Sequence, residues 1–139
     1  MTITGDVLDD VVAHARACRP RECCGLLVGE GERVVSSVRA RNVSDSPTRF
    51  LIDPKDHVAA LRAARAQGLE IVGFYHSHPH SKAYPSPTDL AEAYPGVVYL
   101  IVGLQKEPPD IRLFKLRGEA VDELVLTVER AKRAKIPHS

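Results

Sequence analysis

A chain of 139 residues, 44% of them hydrophobic, can bury one core and is too short for two ordinary domains, so residues 1–139 read as a single domain. With 19 basic against 18 acidic residues the formal charge is +1, which leaves no electrostatic basis for a general nucleic-acid binder or a binder of anionic membranes. No apolar run is long enough to span a bilayer, no signal peptide opens the chain, and three cysteines are an odd number, all of which suits a reducing cytoplasm.

The first element is a helix, because Val7, Leu8, Val11, Val12, Ala15 and Cys18 recur at helical spacing and Pro20 ends the run. Residues 24 to 29 read as a buried strand, and Glu30-Gly31 sits where a tight hairpin turn belongs. Val34, Val35 and Val38 populate the returning strand, which is expected to carry on toward Val43. Residues 49 to 52 predict a short third strand. Asp53, Pro54 and Asp56 then form a cap, a first-turn proline and a first-turn acid, opening a helix through Val58 and Leu61 that Gly68 closes.

Residues 70 to 76 predict the next strand, and Ser86-Pro87-Thr88-Asp89 a short helix that Tyr94-Pro95-Gly96 breaks. Residues 97 to 102 are an apolar central strand. Pro108 and Pro109 mark the following turn, and strands over 111 to 116 and 122 to 128 complete a sheet of about six strands. The last segment, 119 to 135, is expected to pass from strand to helix near Thr127. Its basic residues Arg130, Lys132, Arg133 and Lys135 read as a solvated helix end or a frayed terminus. Helices alternating with strands in this order predict an α/β fold in which helices flank a mixed sheet.

The chemistry concentrates at His76-Ser77-His78-Pro79 with Ser86 and Asp89 downstream. Side chains two apart on a strand share a face, so His76 and His78 can reach one ion, and Asp89 closes the set from a helix start. Three protein ligands leave a fourth tetrahedral position for water, the mark of a catalytic zinc site, with one Zn²⁺ per chain. A bound water still needs a base, and Glu22, at the end of the first helix, is the candidate. A plainer reading makes Glu22 a solvated charge beside Arg19 and Arg21, and Ser86 a helix cap with Asp89 completing a capping box. His80 is the nearest alternative ligand and reads as a loop residue. Cys18 falls on the apolar stripe of the helix. Cys23 and Cys24 are adjacent, a spacing that suits neither a zinc knuckle nor a disulfide, so free thiols are expected, one under the strand and one near Glu22.

An upstream Glu followed by H-x-H-P, six residues, Ser, two residues and Asp resembles the pattern of the JAMM, or MPN-plus, zinc metallopeptidases, and this chain fits it position for position from Glu22 onward. The resemblance implies a cytidine-deaminase-like JAMM fold, with His76, His78 and Asp89 as zinc ligands, Glu22 as the general acid/base and Ser86 as the oxyanion stabiliser. It implies hydrolysis of a peptide or isopeptide bond after the C-terminal Gly-Gly of a ubiquitin-like or sulfur-carrier protein, including release of cysteine from a carrier adduct. Such a tail suits a narrow channel over zinc, since glycines bring no side chain, and pairing along a sheet edge supplies affinity. A deconjugase acting on protein lysines is the neighbouring alternative. A catalytically silent MPN scaffold is disfavoured by the complete ligand set, and a DNA-repair relative by the lack of a helix-hairpin-helix segment before Glu22. The oligomeric state stays open, a homodimer being one option.

Overall fold

The structure, a computed structural model, describes residues 1–44, 46 and 48–130. Its elements in chain order are β1 (Thr2–Thr4), α1 (Gly5–Cys18), β2 (Cys24–Glu30), β3 (Arg33–Ala40), α2 (Pro54–Ala66), β4 (Glu70–His78), α3 (Pro87–Ala91), β5 (Val98–Gly103), β6 (Asp110–Arg117), β7 (Ala120–Leu124) and β8 (Thr127–Glu129). The strands form one mixed sheet in the order β7-β6-β5-β4-β2-β3-β1-β8. β4 runs antiparallel to β2 and parallel to β5, so it lies inside the sheet with a partner on each side.

Alternation along the central strands sends side chains to two cores, as the pleat requires. On one face Leu27, Val34, Tyr75, Leu100, Val102 and Leu113 pack against Val7, Leu8, Val11 and Ala15 of α1. On the other, Cys24, Leu26, Phe74, Tyr99, Ile101 and Phe114 pack with Ala60 of α2 and Ala83. The apolar stripe read along α1 is therefore its core face, although Val12 and Cys18 are only partly covered. Gly25 is required by close approach, because a Cβ there would lie 2.1 Å from the Tyr75 ring. That ring is fully buried, and its hydroxyl is 2.7 Å from His14 Nδ1.

The α/β architecture and the order of the main elements agree with the sequence, but the sheet has eight strands rather than about six, and the periphery differs in several places. β1 was not expected, since three residues ahead of a helix carry no periodicity of their own. β3 stops at Ala40 rather than continuing toward Val43. The strand expected at 49 to 52 does not form, and a single isolated bridge, Asn42 to Ile52, stands in its place. The strand expected at 122 to 128 is two strands, β7 and β8, on opposite edges of the sheet. Only Val125 and Leu126 join those edges, so at that end they lie within about 10 Å of each other, and the sheet must curl strongly.

No turn into helix occurs at Thr127. β8 pairs in parallel with β1, and Thr127 N–H donates to the Met1 carbonyl. Arg130 is paired with Asp9 rather than simply solvated, while the expectation for Lys132, Arg133 and Lys135 lies outside the described residues. Among the described residues, no helix is long and apolar enough to cross a membrane.

Candidate active site

β4 runs two residues beyond its expected end and carries His76, Ser77 and His78 as its last three positions. The β2–β4 register pairs Cys24 with His76. Continuing that antiparallel pairing, Cys23 meets Ser77: Ser77 N–H donates to the Cys23 carbonyl and Cys23 N–H to Ser77 Oγ at 2.8 Å. Glu22, the next residue back, lies just ahead of β2 and is brought by this pairing to the end of β4. Glu22 is accordingly 4% exposed, not a solvated charge among arginines, and its carboxylate lies within 4.8 Å of the ligand nitrogens of His76 and His78.

Asp89 completes a tighter triangle. Its Oδ2 lies 3.1 Å from His76 Nε2 and 3.1 Å from His78 Nε2, and the two nitrogens are 3.2 Å apart. Ligand bonds of about 2.0–2.1 Å put neighbouring corners of a tetrahedron roughly 3.3 Å apart, so these three atoms have the spacing of one face of such a site. His78 Nδ1 is 2.7 Å from the Lys82 carbonyl, which accepts its N–H, so in the neutral ring Nε2 is the nitrogen with the lone pair. His76 is held from the side by Phe50, whose ring stacks on it at 4.4 Å. The donor set, two imidazole nitrogens and a carboxylate in a buried pocket, fits a zinc ion.

Ser86 and Asp89 are fixed by the capping box read from the sequence. Asp89 N–H donates to Ser86 Oγ at 3.0 Å, and Ser86 N–H donates back to Asp89 Oδ2 at 2.9 Å. The cap therefore aims the carboxylate at the histidines, and the cap and ligand readings of these residues hold together. Ser86 Oγ is the acceptor in this box, and Ser86 itself is partly buried beside the carboxylate it caps.

Burial sets the protonation of the site. It raises Glu22 from 4.5 to about 7, opposed by the neighbouring His78 and reinforced by the Asp89 charge. Burial also holds His76 below the ordinary histidine value. For His78 burial is outweighed by the bond to Asp89 and the Lys82 carbonyl, so its pKa rises. The same histidine bonds outweigh burial at Asp89 and keep it well below the usual carboxylate range. Glu22 Oε1 and His76 Nδ1 are buried without a hydrogen-bond partner. An unpartnered buried carboxylate oxygen next to three converging ligands is placed to accept a proton.

The cleft beside the site has a volume of about 390 Å³ and reaches from His76 and Asp89 to Phe50, Leu51, His57, Tyr94 and Tyr99. One wall is formed by Phe50, Leu51 and Ile52 in the segment after β3, of which residues 49 to 52 were expected to be a strand. Hydrogen bonds from Val43 N–H to Leu51 O and from Asp53 N–H to Arg41 O close it into a loop. Arg49 reaches across to pair with Glu92 at the end of α3. Asn42 and Phe50 were missed in the sequence, where neither position carries a motif or period.

His80 is exposed and lies outside the ligand cluster, a loop residue as expected. The three cysteines are free thiols. Cys23 and Cys24 are both fully buried, each in a different core, and burial pushes both thiols up to about 12. Neither is available as a thiolate nucleophile near neutral pH.

Residues 4–117 match the family described as prokaryotic homologs of the JAB domain. The chain is 36% identical to a desampylase of Haloferax volcanii, over 93% of this chain and 96% of that protein. It is 39% identical to a probable TtuB-protein conjugate cleaving protease of Thermus thermophilus, over 86% of this chain and 79% of the relative. It is 32% identical to the CysO-cysteine peptidase of Mycobacterium tuberculosis, over 88% and 87%. A solution structure of a Desulfitobacterium hafniense protein superposes with a TM-score of 0.85 at 31% identity, covering 95% of this chain and 94% of that one. A JAB1/MPN domain protein of Archaeoglobus fulgidus shares the fold, with a TM-score of 0.64 at 21% identity over 92% and 98%. A match across most of the chain, on a sheet that brings an upstream glutamate to two histidines and an aspartate, makes this protein a member of the prokaryotic JAB family, the small JAMM/MPN-type proteins.

Proposed function

We propose that the protein is a zinc peptidase that hydrolyses the amide bond following the C-terminal Gly-Gly of a ubiquitin-like or sulfur-carrier protein. His76, His78 and Asp89 would hold the metal, Glu22 moves the proton, and Ser86 stabilises the developing oxyanion. The observation that carries this reading is the triangle of ligand atoms 3.1 to 3.2 Å on a side, with the buried Glu22 carboxylate beside it. Zinc held by these residues would supply Lewis acidity and make a water molecule acidic enough to ionise at about pH 7.

Glu22 accepts the proton of the attacking water through its unpartnered oxygen and returns it to the leaving amine. The Ser86 hydroxyl donates to the carbonyl oxygen as its negative charge grows, a contribution of ~3 kcal/mol for a well-placed donor. Asp89, locked by the capping box, stays ionised as a ligand. Lys82, through its carbonyl, keeps His78 in the tautomer whose Nε2 is free.

The relatives' names support the substrate class, because one is named for cleaving TtuB-protein conjugates and another as a CysO-cysteine peptidase. Free thiols support action in the cytoplasm. The test compares turnover of one sulfur carrier ending Gly-Gly-Cys, its Gly-Ala-Cys variant, and ubiquitin joined to a lysine. Cleavage of the first with collapse on the second is expected, since an added methyl cannot pass a channel built for glycine. Near-equal rates on the two would overturn the channel. Faster cleavage of the ubiquitin conjugate would move the function to a deconjugase.

A further inference from the structure

Asn42 uses its side chain to full hydrogen-bonding capacity. Its Nδ2 donates to the Glu22 carbonyl at 3.0 Å and to the Arg49 carbonyl at 3.2 Å, while Oδ1 accepts from Ser44 N–H at 3.0 Å and Leu51 N–H at 2.9 Å. Two donors and two acceptors are all that a carboxamide possesses, and the four partners fix which end is nitrogen. All four partners are backbone groups, so only this side chain is needed for the connection. The two ends of the resulting tie differ in kind. One holds the main chain of Glu22, just ahead of β2, and the other holds residues 49 and 51, which flank the Phe50 ring stacked on His76.

We propose that Asn42 is a positioning residue that sets the Glu22 carboxylate relative to the ligand cluster and couples that placement to the cleft wall carried by Phe50. This rests on Glu22 acting as the proton carrier. Glu22 lies outside any regular element, and its Oε1 has no partner, so its side chain is located mainly by where its backbone is held. Cys23, bonded to Ser77, fixes the chain on the β2 side, and Asn42 fixes the residue itself. A displacement of about 1 Å in a group that takes a proton in the transition state costs up to about 100-fold in rate.

The carboxamide can be dissected. Asn42→Ala removes all four bonds, whereas Asn42→Asp keeps both acceptor positions for Ser44 and Leu51 but turns a carboxylate toward the carbonyls of Glu22 and Arg49. Steady-state kinetics on a carrier ending Gly-Gly-Cys would be measured for both variants and for Glu22→Gln, with zinc content and with amide hydrogen exchange at Ser44 and Leu51. In Asn42→Asp the expected result is wild-type zinc content, retained protection at Ser44 and Leu51, and kcat lowered roughly 10- to 100-fold with KM little changed. In Asn42→Ala, kcat falls as far, KM also rises, and protection at the two amides is lost. Should the alanine variant fail to fold, the aspartate variant still decides the matter. Wild-type kcat in Asn42→Asp, with Glu22→Gln inactive, would overturn the positioning role and leave Asn42 as a loop fastener. An active Glu22→Gln would instead overturn the assignment of Glu22 on which the inference rests.

Discussion

Glu22 has two arginine neighbours within three residues, and in sequence that context reads as surface charge. Its burial depends on the β2–β4 pairing, which brings the residue just ahead of β2 to the histidines at the end of β4, a contact over 50 residues away that local composition cannot reveal. The motif, in contrast, was legible: His76, His78, Ser86 and Asp89 lie in one stretch of chain and meet where the spacing required. Asn42 and Phe50 were illegible because their roles depend on a loop closing over the site. The buried carboxylate has a measurable consequence in the metal-free protein. Its pKa in the fold, about 7, exceeds the ordinary 4.5, so the unfolded chain ionises first as pH rises. Glu22 therefore contributes stability below pH 4.5 that is lost as pH rises to about 7. Thermal melts of the zinc-free wild type and Glu22→Gln should show the variant gaining relative Tm between pH 5 and pH 8; a pH-independent difference would mean that Glu22 is not held neutral by burial. With zinc present, Glu22→Gln should retain metal while kcat falls by roughly 10²- to 10⁴-fold, the range for losing general acid–base catalysis. Cys23→Ser should leave kcat close to that of the wild type at equal folded fraction. Loss of activity in the cysteine variant with a working Glu22→Gln would restore a thiol mechanism.

Among the elements, α3 shows how much short helices can reveal in sequence, since Ser86-Pro87-Thr88-Asp89 predicted both halves of the capping box found in the fold. Aspartate serves there as the third residue of the box and as the candidate ligand, so the five-residue helix orients the carboxylate toward His76 and His78. β8 shows the opposite case. Residues 127 to 129 carry too little pattern to distinguish strand from helix, and their pairing with β1 depends on a second short strand at the far end of the chain. The double duty of α3 separates cap from catalysis. Ser86→Ala should cost about 1 kcal/mol of stability through the lost cap. It should also lower kcat about 10²- to 10³-fold through the lost oxyanion donor. Ser86→Thr keeps the hydroxyl and should recover most of both. A drop in Tm without a fall in kcat at saturating substrate would reduce Ser86 to a cap.

Across the whole molecule, the mixed sheet with a helical layer on each face was readable from the alternation of periods, because central strands such as β4 and β5 are continuous apolar runs. Edge order was not readable: nothing in a two-residue link announces that the strands on either side belong to opposite edges of a curled sheet. The curl and the two cores hold β4 in place, and the site is the end of that strand together with the loops that cap it. A metal held there binds only the folded state, so zinc should stabilise the fold as well as enable the reaction. The most direct measurement is intact-mass spectrometry of a carrier ending Gly-Gly-Cys after incubation with enzyme as purified, enzyme stripped by a chelator, stripped enzyme with zinc restored, and zinc-loaded Glu22→Gln. The expected result is a carrier shortened to Gly-Gly in the first and third samples and left whole in the second and fourth. Cleavage that persists in the stripped enzyme, or in Glu22→Gln at the wild-type rate, would contradict a zinc peptidase that works through Glu22.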